Sequence, residues 1–177
     1  MLYTIPYASP LGGLWLAADD RGVTGVWFAG EKYFPNWRGV SRKERETPIL
    51  RETKRWLDIY FHGAEPDFMP PLHPIGSDFQ QVVWKILRQI PYGTTRTYGD
   101  IAAQIAPARG VAKMSAQAVG GAVGHNDISI LIPCHRVVGK SGSLTGYAAG
   151  LEKKIRLLTL EKVDMSRFFV PKKGTAL

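Results

Sequence analysis

Cys134 is the only cysteine in this chain of 177 residues, and two basic residues, His135 and Arg136, follow it directly. An apolar run at 130–132 and then Pro133 lead into it. A cysteine attacks as its thiolate, which cationic and hydrogen-bonding neighbours favour. A lone cysteine is more often an inert buried residue, but such a residue has no use for His and Arg beside it. The pattern therefore predicts a nucleophilic thiol at Cys134.

Four further residues could assist this thiol. His135 is the candidate general base, and Glu161 could orient its imidazole in the manner of a hydrolase triad. Asn126 could hydrogen-bond the backbone near the site, and Tyr98 offers a phenol donor. Each of the last three also has a structural interpretation: a surface carboxylate, a turn residue and a core aromatic. Adjacent strand residues point to opposite faces, so contact between Cys134 and His135 requires a turn at Pro133 or a bridging water.

The net charge of +8 is distributed unevenly. Residues 1–76 hold nine Lys/Arg and nine Asp/Glu, whereas residues 77–177 hold fourteen Lys/Arg against six Asp/Glu. A basic half joined to a neutral half indicates a polyanionic partner for the basic half, most economically nucleic acid, although basic residues also serve solubility alone. All five Trp lie within the first 84 residues and indicate the core of the neutral half.

Composition also excludes several classes of protein. No apolar run approaches the roughly 20 residues that a membrane span needs, and the N-terminus lacks the basic head and apolar segment of a signal peptide. A single cysteine rules out an intrachain disulfide and cysteine-rich zinc ligation. We therefore expect a cytoplasmic protein without a membrane partner.

The first half begins with three short strands, predicted at 2–6, 14–18 and 25–29 between turn-rich segments. Residues 30–46 are polar and interrupted by Pro35, which indicates a loop. A helix then starts with Thr47 as N-cap and Pro48 in its first turn, and ends at Gly63. Four prolines between 64 and 76 predict a linker, and the charge shift places a domain boundary at residue 76.

The second half is predicted to be mostly helical. Ser77 and Gln80 form a capping-box pattern, and the helix they start ends at the Pro-Tyr-Gly segment 91–93. Thr97 caps a short helix over 98–105, a connector with Pro107 follows, and another helix spans about 115–123. A strand at 128–132 leads to Cys134, and a last helix covers about 149–160. From Ser166 onward the tail has no pattern.

Three segments carry a resemblance to a known family. The run Pro-Cys-His-Arg-Val at 133–137, the Gly-Tyr pair at 146–147 and the Ala-Val-Gly-Gly-Ala segment at 118–122 resemble the O6-alkylguanine-DNA alkyltransferases. The agreement covers roughly residues 77–163, and the first half matches only in general layout. The resemblance implies a protein that flips an alkylated guanine out of duplex DNA and takes the alkyl group irreversibly onto Cys134. O4-alkylthymine is a second candidate substrate.

The resemblance also implies roles for individual residues. Cys134 is the alkyl acceptor, His135 takes its proton through a water, and Glu161 orients the histidine. Asn126 braces this network, and Tyr98 donates to the guanine ring so that the base leaves neutral.

Further residues are implied to line the pocket or to contact DNA. The carbonyls of Cys134 and Val137 accept from the guanine amino group, and Val123, Tyr147 and Ala148 line the pocket. The residues implied to contact DNA are Thr97, Gln117, Ala118, Gly120 and Arg136.

Two departures from the family pattern stand out. Gln117 occupies the position where the family carries an arginine that enters the base stack, and the connector before it is longer and contains Arg109 and Lys113. The zinc-binding pattern of some relatives is missing, and His62 and His73 are expected to be loop or surface residues. The prediction is therefore no metal and no cofactor.

Taken together, we predict an α+β protein. A small domain of β-sheet and helix over 1–76 precedes a mostly helical domain over 77–177, with a winged-helix-like helix-turn-helix and a strand that carries the active cysteine. The predicted activity is single-turnover alkyl transfer by a monomer acting on double-stranded DNA that carries O6-alkylguanine. The alternatives are a non-catalytic binder of alkyl lesions and, with less support, a thiol hydrolase.

Overall fold

The computed structural model describes residues 1–172, which form two compact units. The first comprises Met1–Ile75 with Asp127–Leu131, and the second comprises Gly76–Asn126 with the chain from Ile132 onward. The α+β class is confirmed: the first unit holds a four-stranded sheet, and the second is mostly helical. Within the described residues, no helix has both the length and the apolar character that a membrane crossing requires.

The sheet of the first unit has the strand order β3-β2-β1-β4. The three predicted strands are present with wider bounds: β1 is Leu2–Ser9, β2 is Gly12–Ala18 and β3 is Val23–Phe28, each antiparallel to the next. A fourth strand, β4 at Arg42–Glu44, pairs parallel to β1. It lies inside the segment predicted to be loop, because its three exposed charged residues carry no strand pattern.

The helix of the first unit, α1 at Pro48–Phe61, begins as predicted. The Thr47 hydroxyl accepts from the backbone N–H of Leu50, and Pro48 occupies the first turn, where a missing N–H removes no helical bond. The helix packs its buried face against β1 and β2. That face consists of Leu50, Thr53, Trp56, Leu57 and Tyr60.

Residues 127–131 belong to the first unit although they follow the proposed boundary by fifty positions. The Val26 N–H donates to the Asp127 carbonyl at 2.8 Å, and the Ser129 N–H donates to the Val26 carbonyl at 3.0 Å. The predicted strand at 128–132 is wrong: only Ile128 forms an isolated bridge, and Ile130 adopts a left-handed backbone with φ of 72°. A buried apolar turn has the same hydrophobic pattern as a short buried strand.

Two helices of the second unit begin at the predicted caps, and a third begins close to its predicted start. α2 at Asp78–Leu87 starts with the reciprocal bonds of Ser77 and Gln80, and α3 at Tyr98–Ala108 starts with those of Thr97 and Asp100. α4 at Ala116–Gly124 starts at Ser115. Pro107, predicted in the connector, lies in the last turn of α3. The arrangement of α3 and α4 as a helix-turn-helix stays a prediction.

The rest of the second unit consists of short elements and one long helix. A parallel pair joins β5 at Arg96–Thr97 to β6 at Val137–Val138, and α5 covers Leu151–Leu160. Three 3₁₀ turns, at Cys134–Arg136, Lys140–Gly142 and Met165–Arg167, complete it. The tail is fixed where it is described, because the Leu144 N–H donates to the Phe169 carbonyl at 2.8 Å.

Gly142 permits this docking of the tail. It has φ of +87°, a conformation that favours glycine, and an added Cβ would collide with the carbonyl of Arg167. Gly110 also has a positive φ, +66°, but a Cβ there would meet nothing within 4 Å. The two positions therefore separate backbone strain from steric collision.

We expect Gly142→Ala to lower the free energy of unfolding by about 3 kcal/mol or more, because strain and collision add. Gly110→Ala should lower it by only about 1 kcal/mol, the conformational term alone. Urea unfolding of both variants and of the wild type measures the difference. Equal losses would contradict the close approach of the tail to Gly142.

Candidate active site around Cys134

Cys134 lies on a tight turn that backbone hydrogen bonds define. Its N–H donates to the Ile132 carbonyl at 2.8 Å around Pro133, whose φ of −80° and ψ of 66° form an inverse γ-turn. The Arg136 N–H then donates to the Pro133 carbonyl at 3.0 Å. The turn that the sequence required at Pro133 for the Cys-His pair is therefore present, and Cys134 is 6% exposed.

Asn126 supports the entry to this turn. Its buried side-chain amide donates to the Ile132 carbonyl at 2.8 Å. Ile132 is thus held by two donors, the Asn126 side chain and the Cys134 N–H. The bond also ties together the two residues that border the 127–131 segment of the first unit. Asn126 consequently acts on the backbone that presents the thiol, as expected from the sequence.

His135 and Glu161 form a fully buried pair, with 2.6 Å between Nε2 and Oε1. Burial lowers the pKa of His135, and the positive charges of Arg136 and Lys154 lower it further, against the opposing effect of Glu161. The imidazole is therefore neutral at neutral pH. Because an ionised carboxylate can only accept, Nε2 carries the proton and Nδ1 is left as the acceptor atom.

Arg136 grips the same carboxylate with two nitrogens. Nε lies 2.9 Å from Oε2 of Glu161 and Nη2 lies 3.0 Å from Oε1, while Nη1 donates to the Ile90 carbonyl at 2.7 Å. Its donors are thus directed inward, in a side chain only 10% exposed. The predicted DNA contact by Arg136 disagrees with this placement, because a phosphate would have to displace a buried carboxylate.

Glu161 ends α5 and collects a third donor, the Gly93 N–H, at 3.2 Å from Oε2. Although burial alone would raise its pKa, the bonds and charges of His135 and Arg136 lower the pKa of Glu161 to about 2. Gly93 has φ of +74°, and an added Cβ would lie 3.0 Å from the Glu161 carbonyl. A larger residue here would be strained and would crowd the Glu161 carbonyl, so glycine suits this position of the Pro-Tyr-Gly turn.

Tyr98, the first residue of α3, is 6% exposed. Burial raises the pKa of its phenol to about 12, and the electrostatic influence of Cys134 acts in the same direction. A hydrogen bond with Thr145 opposes them in part. The phenol therefore keeps its proton at neutral pH and can act as a donor.

Lys154 is a buried residue of the site that the sequence analysis missed. Its ammonium donates to the carbonyls of Val137, Thr145 and Gly146 at 2.6, 2.9 and 3.2 Å. A signal was available, since Lys154 lies four residues before the buried Leu158 and so falls on the apolar face of α5.

The predicted pocket residues lie in three segments of the second unit. Val123, at the end of α4, and Val137, at the start of β6, are buried. Tyr147 and Ala148 are half-buried in the loop before α5. Lys154 brings the second and third segments together, because it bonds the carbonyls of Val137 and of the residue before Tyr147.

The predicted DNA-contacting residues differ in accessibility. Gln117 and Ala118 are exposed in the first turn of α4, where their N–H groups donate to the Ser115 hydroxyl. Gly120 is buried within α4. Thr97 is half-buried and caps α3. Arg109 in the connector stacks on the ring of Phe79 at 5.4 Å.

The two histidines considered in the sequence analysis as possible ligands, His62 and His73, both have protein partners. His73 Nδ1 lies 2.7 Å from Asp19 Oδ2, and His62 Nδ1 lies 2.6 Å from the Asp58 carbonyl. Over residues 1–172, no three His, Cys, Asp or Glu side chains gather in a group that could hold a metal ion.

Comparison with known proteins identifies both halves of the chain. Residues 1–74 match the family described as 6-O-methylguanine DNA methyltransferase, ribonuclease-like domain, and residues 78–163 match the DNA binding domain of the same description. The chain belongs to the 6-O-methylguanine DNA methyltransferase family. The two matches together span most of the chain, including every predicted site residue.

Individual members of this family are similar over almost their whole length. The methylated-DNA–protein-cysteine methyltransferase of Haemophilus influenzae is 43% identical over 165 residues, which cover 92% of this chain and 87% of that protein. The constitutive enzyme of Bacillus subtilis is 39% identical, with 93% and 98% covered. A crystal structure of Mycobacterium tuberculosis OGT in complex with DNA has a TM-score of 0.78 at 38% identity and covers 94% of both chains.

The buried Glu161 network makes stability depend on pH. The pKa of Glu161 is lowered from 4.5 to about 2. The contribution of the ionised carboxylate to the free energy of unfolding is therefore fully present above pH 4.5 and is lost as pH falls through 2. Glu161→Gln should lower the free energy of unfolding at neutral pH by about 3–5 kcal/mol, since Arg136 stays buried without its counter-charge. Between about pH 5 and pH 3 this deficit should narrow by about 2 kcal/mol, measured by urea unfolding.

The exposed Glu152 on the same helix provides the matched control. Glu152→Gln should leave both stability and its pH dependence unchanged. A deficit of Glu161→Gln that stays constant over this pH range would show that the carboxylate is not held ionised by its partners.

Proposed function

We propose that the protein repairs DNA by moving an alkyl group from O6-alkylguanine in double-stranded DNA to the sulfur of Cys134, once per molecule. The observation that carries this proposal is the buried Glu161-His135 pair beside the only cysteine, in a member of a family named for this transfer. The proposed substrate is a neutral ether carbon that only a strong nucleophile attacks. The site has the groups to generate one.

The first step is removal of the thiol proton. His135 takes it on Nδ1, directly or through one water, because Nε2 is occupied as donor to Glu161. The imidazolium that forms lies against the ionised carboxylate, which stabilises it. Arg136 keeps Glu161 ionised throughout, so the carboxylate orients and stabilises the histidine without itself taking the proton.

In the second step the thiolate attacks the alkyl carbon. The new bond joins Sγ to that carbon, the bond between the carbon and O6 breaks, and its electron pair passes to the guanine ring. Tyr98 donates its proton to the guanine ring. The proton that Cys134 released then restores the phenol of Tyr98, so that no net proton is lost. The net reaction consumes one thiol and one O6-alkylguanine and yields a thioether and guanine.

Access to the lesion requires the base to leave the stack. Extruding a base costs a few kcal/mol, and least for a mispaired lesion. We assign the pocket to Val123, Val137, Tyr147 and Ala148, and the exposed Gln117 and Ala118 of α4 to contact with DNA. Gln117 can hydrogen-bond the base left without a partner, in place of the family's arginine. A cytoplasmic location and a monomeric state stay predictions.

Because the thioether is stable, the protein should accept one equivalent and then stop. Incubation with a duplex that contains O6-methylguanine should add one methyl mass to the peptide that carries Cys134, as measured by mass spectrometry. Cys134→Ser should bind the same duplex and transfer nothing.

Each alternative function gives a different result. Lesion binding without added mass supports a non-catalytic binder, and release of free product over many turnovers supports a hydrolase. Either outcome contradicts the proposed function.

The role of Tyr98 is tested by Tyr98→Phe, which removes the hydroxyl and keeps the ring. We expect the rate constant of transfer at saturating DNA to fall by about a hundredfold, the usual contribution of a positioned proton donor. The affinity for lesion DNA should stay close to that of the wild type. A rate that is unchanged would assign Tyr98 to packing alone.

A further inference from the structure

Lys154 is a fully buried cation that the proposed chemistry does not use. A lysine ammonium has three N–H donors and no acceptor. All three are matched here by backbone carbonyls, those of Val137, Thr145 and Gly146. Such complete satisfaction by main-chain oxygens is the arrangement of a structural clamp and differs from that of a solvated surface lysine.

The three carbonyls come from two separate segments of the second unit. Val137 follows directly after the 3₁₀ turn Cys134–Arg136. Thr145 and Gly146 lie in a loop that is neither helix nor strand, immediately before Tyr147. In this loop regular secondary structure does not fix the backbone. The bonds of the Lys154 ammonium help to hold it, together with the hydrogen bond between Tyr98 and Thr145 and the bond from the Gly150 N–H to the Tyr147 carbonyl.

Burial of a charge at this position costs folding free energy, because the ammonium loses its hydration. Burial lowers the pKa of Lys154 to about 8, opposed by attraction to Cys134. An apolar side chain of similar length would avoid this desolvation. Buried charges with perturbed pKa values concentrate at functional sites.

We propose that Lys154 is a positioning residue for alkyl transfer: its ammonium fixes the loop at Thr145–Gly146 and the Val137 carbonyl in one arrangement around Cys134. This inference rests on the proposed function. In this arrangement Lys154 positions the wall of the pocket, whereas His135, Glu161 and Tyr98 serve the proton transfers.

The clamp should depend on pH. The titratable groups near the ammonium are Cys134 and His135 on the turn and Tyr98 on α3, whose ring centre lies 6.0 Å from Nζ. Above pH 8 the ammonium loses a proton, and two N–H donors must serve three carbonyls. The rate of transfer by the wild type should therefore fall above about pH 8, although alkaline pH favours the thiolate.

The experiment compares Lys154→Met with Lys85→Met, which removes an exposed lysine from α2. The rate constant of methyl transfer at saturating O6-methylguanine duplex and the dissociation constant for that duplex are measured across neutral and alkaline pH. Lys154→Met should lose about a hundredfold in rate, the effect of a misplacement of about 1 Å. It should keep its DNA affinity and lack the alkaline decline. Lys85→Met should keep the wild-type rate and profile.

Backbone hydrogen exchange provides a second measurement that does not depend on methyl-transfer activity. Amides of the loop at 145–149 should exchange faster in Lys154→Met, while those of α2 should not change. If that variant fails to fold, two measurements on the wild type test whether the Lys154 ammonium holds the loop. They are the pH dependence of the transfer rate above pH 8 and the hydrogen exchange of the loop amides in the same pH range.

Three results would overturn the inference: a wild-type rate that keeps rising above pH 8, Lys154→Met at the wild-type rate, or loop amides whose exchange is unchanged. A wild type that transfers no methyl group contradicts the proposed function instead. In that case faster loop exchange in Lys154→Met still supports the clamp, and unchanged exchange overturns it.

Discussion

The ionised carboxylate of Glu161 is the constraint on which the site depends. It accepts from His135, from two nitrogens of Arg136 and from the Gly93 N–H, and these donors come from two separate parts of the chain. A single buried anion thus sets the tautomer of the histidine, turns the arginine inward and locates the Pro-Tyr-Gly turn. The two residues that follow Cys134, His135 and Arg136, are both held by the Glu161 carboxylate.

The turn that carries Cys134 is stabilised by side chains more than by regular secondary structure. Asn126 holds its entry through the Ile132 carbonyl, Glu161 holds its centre through His135 and Arg136, and Lys154 holds its exit through the Val137 carbonyl. Buried polar groups must be bonded, and here the bonds that satisfy them also position the reacting groups.

The sequence predicted best where the determinants are local. Thr47, Ser77 and Thr97 all cap helices as expected, because a cap is decided within four residues. The strand at 128–132 was wrong because its apolar pattern does not reveal the left-handed Ile130 or the bonds to Val26. Arg136 was assigned to DNA and Lys154 was overlooked for a related reason. The carboxylate partner of Arg136 lies 25 residues away and the carbonyl partners of Lys154 lie 8 to 17 residues away, so adjacent residues do not identify them. The spacing to Leu158 indicates only that Lys154 lies on the apolar face of α5.

The bidentate pairing of Arg136 with Glu161 also separates two responses to ionic strength. Mobile ions screen charges at a surface over a Debye length of about 8 Å in physiological salt, but they do not enter a fully buried pair. Under the proposed function, contact between the basic half and phosphates is therefore exposed to competition from counterions, whereas the buried Glu161 network is shielded from it. The ionic conditions of the cell can then regulate how long the protein stays on DNA, while the intrinsic reactivity of its single thiol is unchanged.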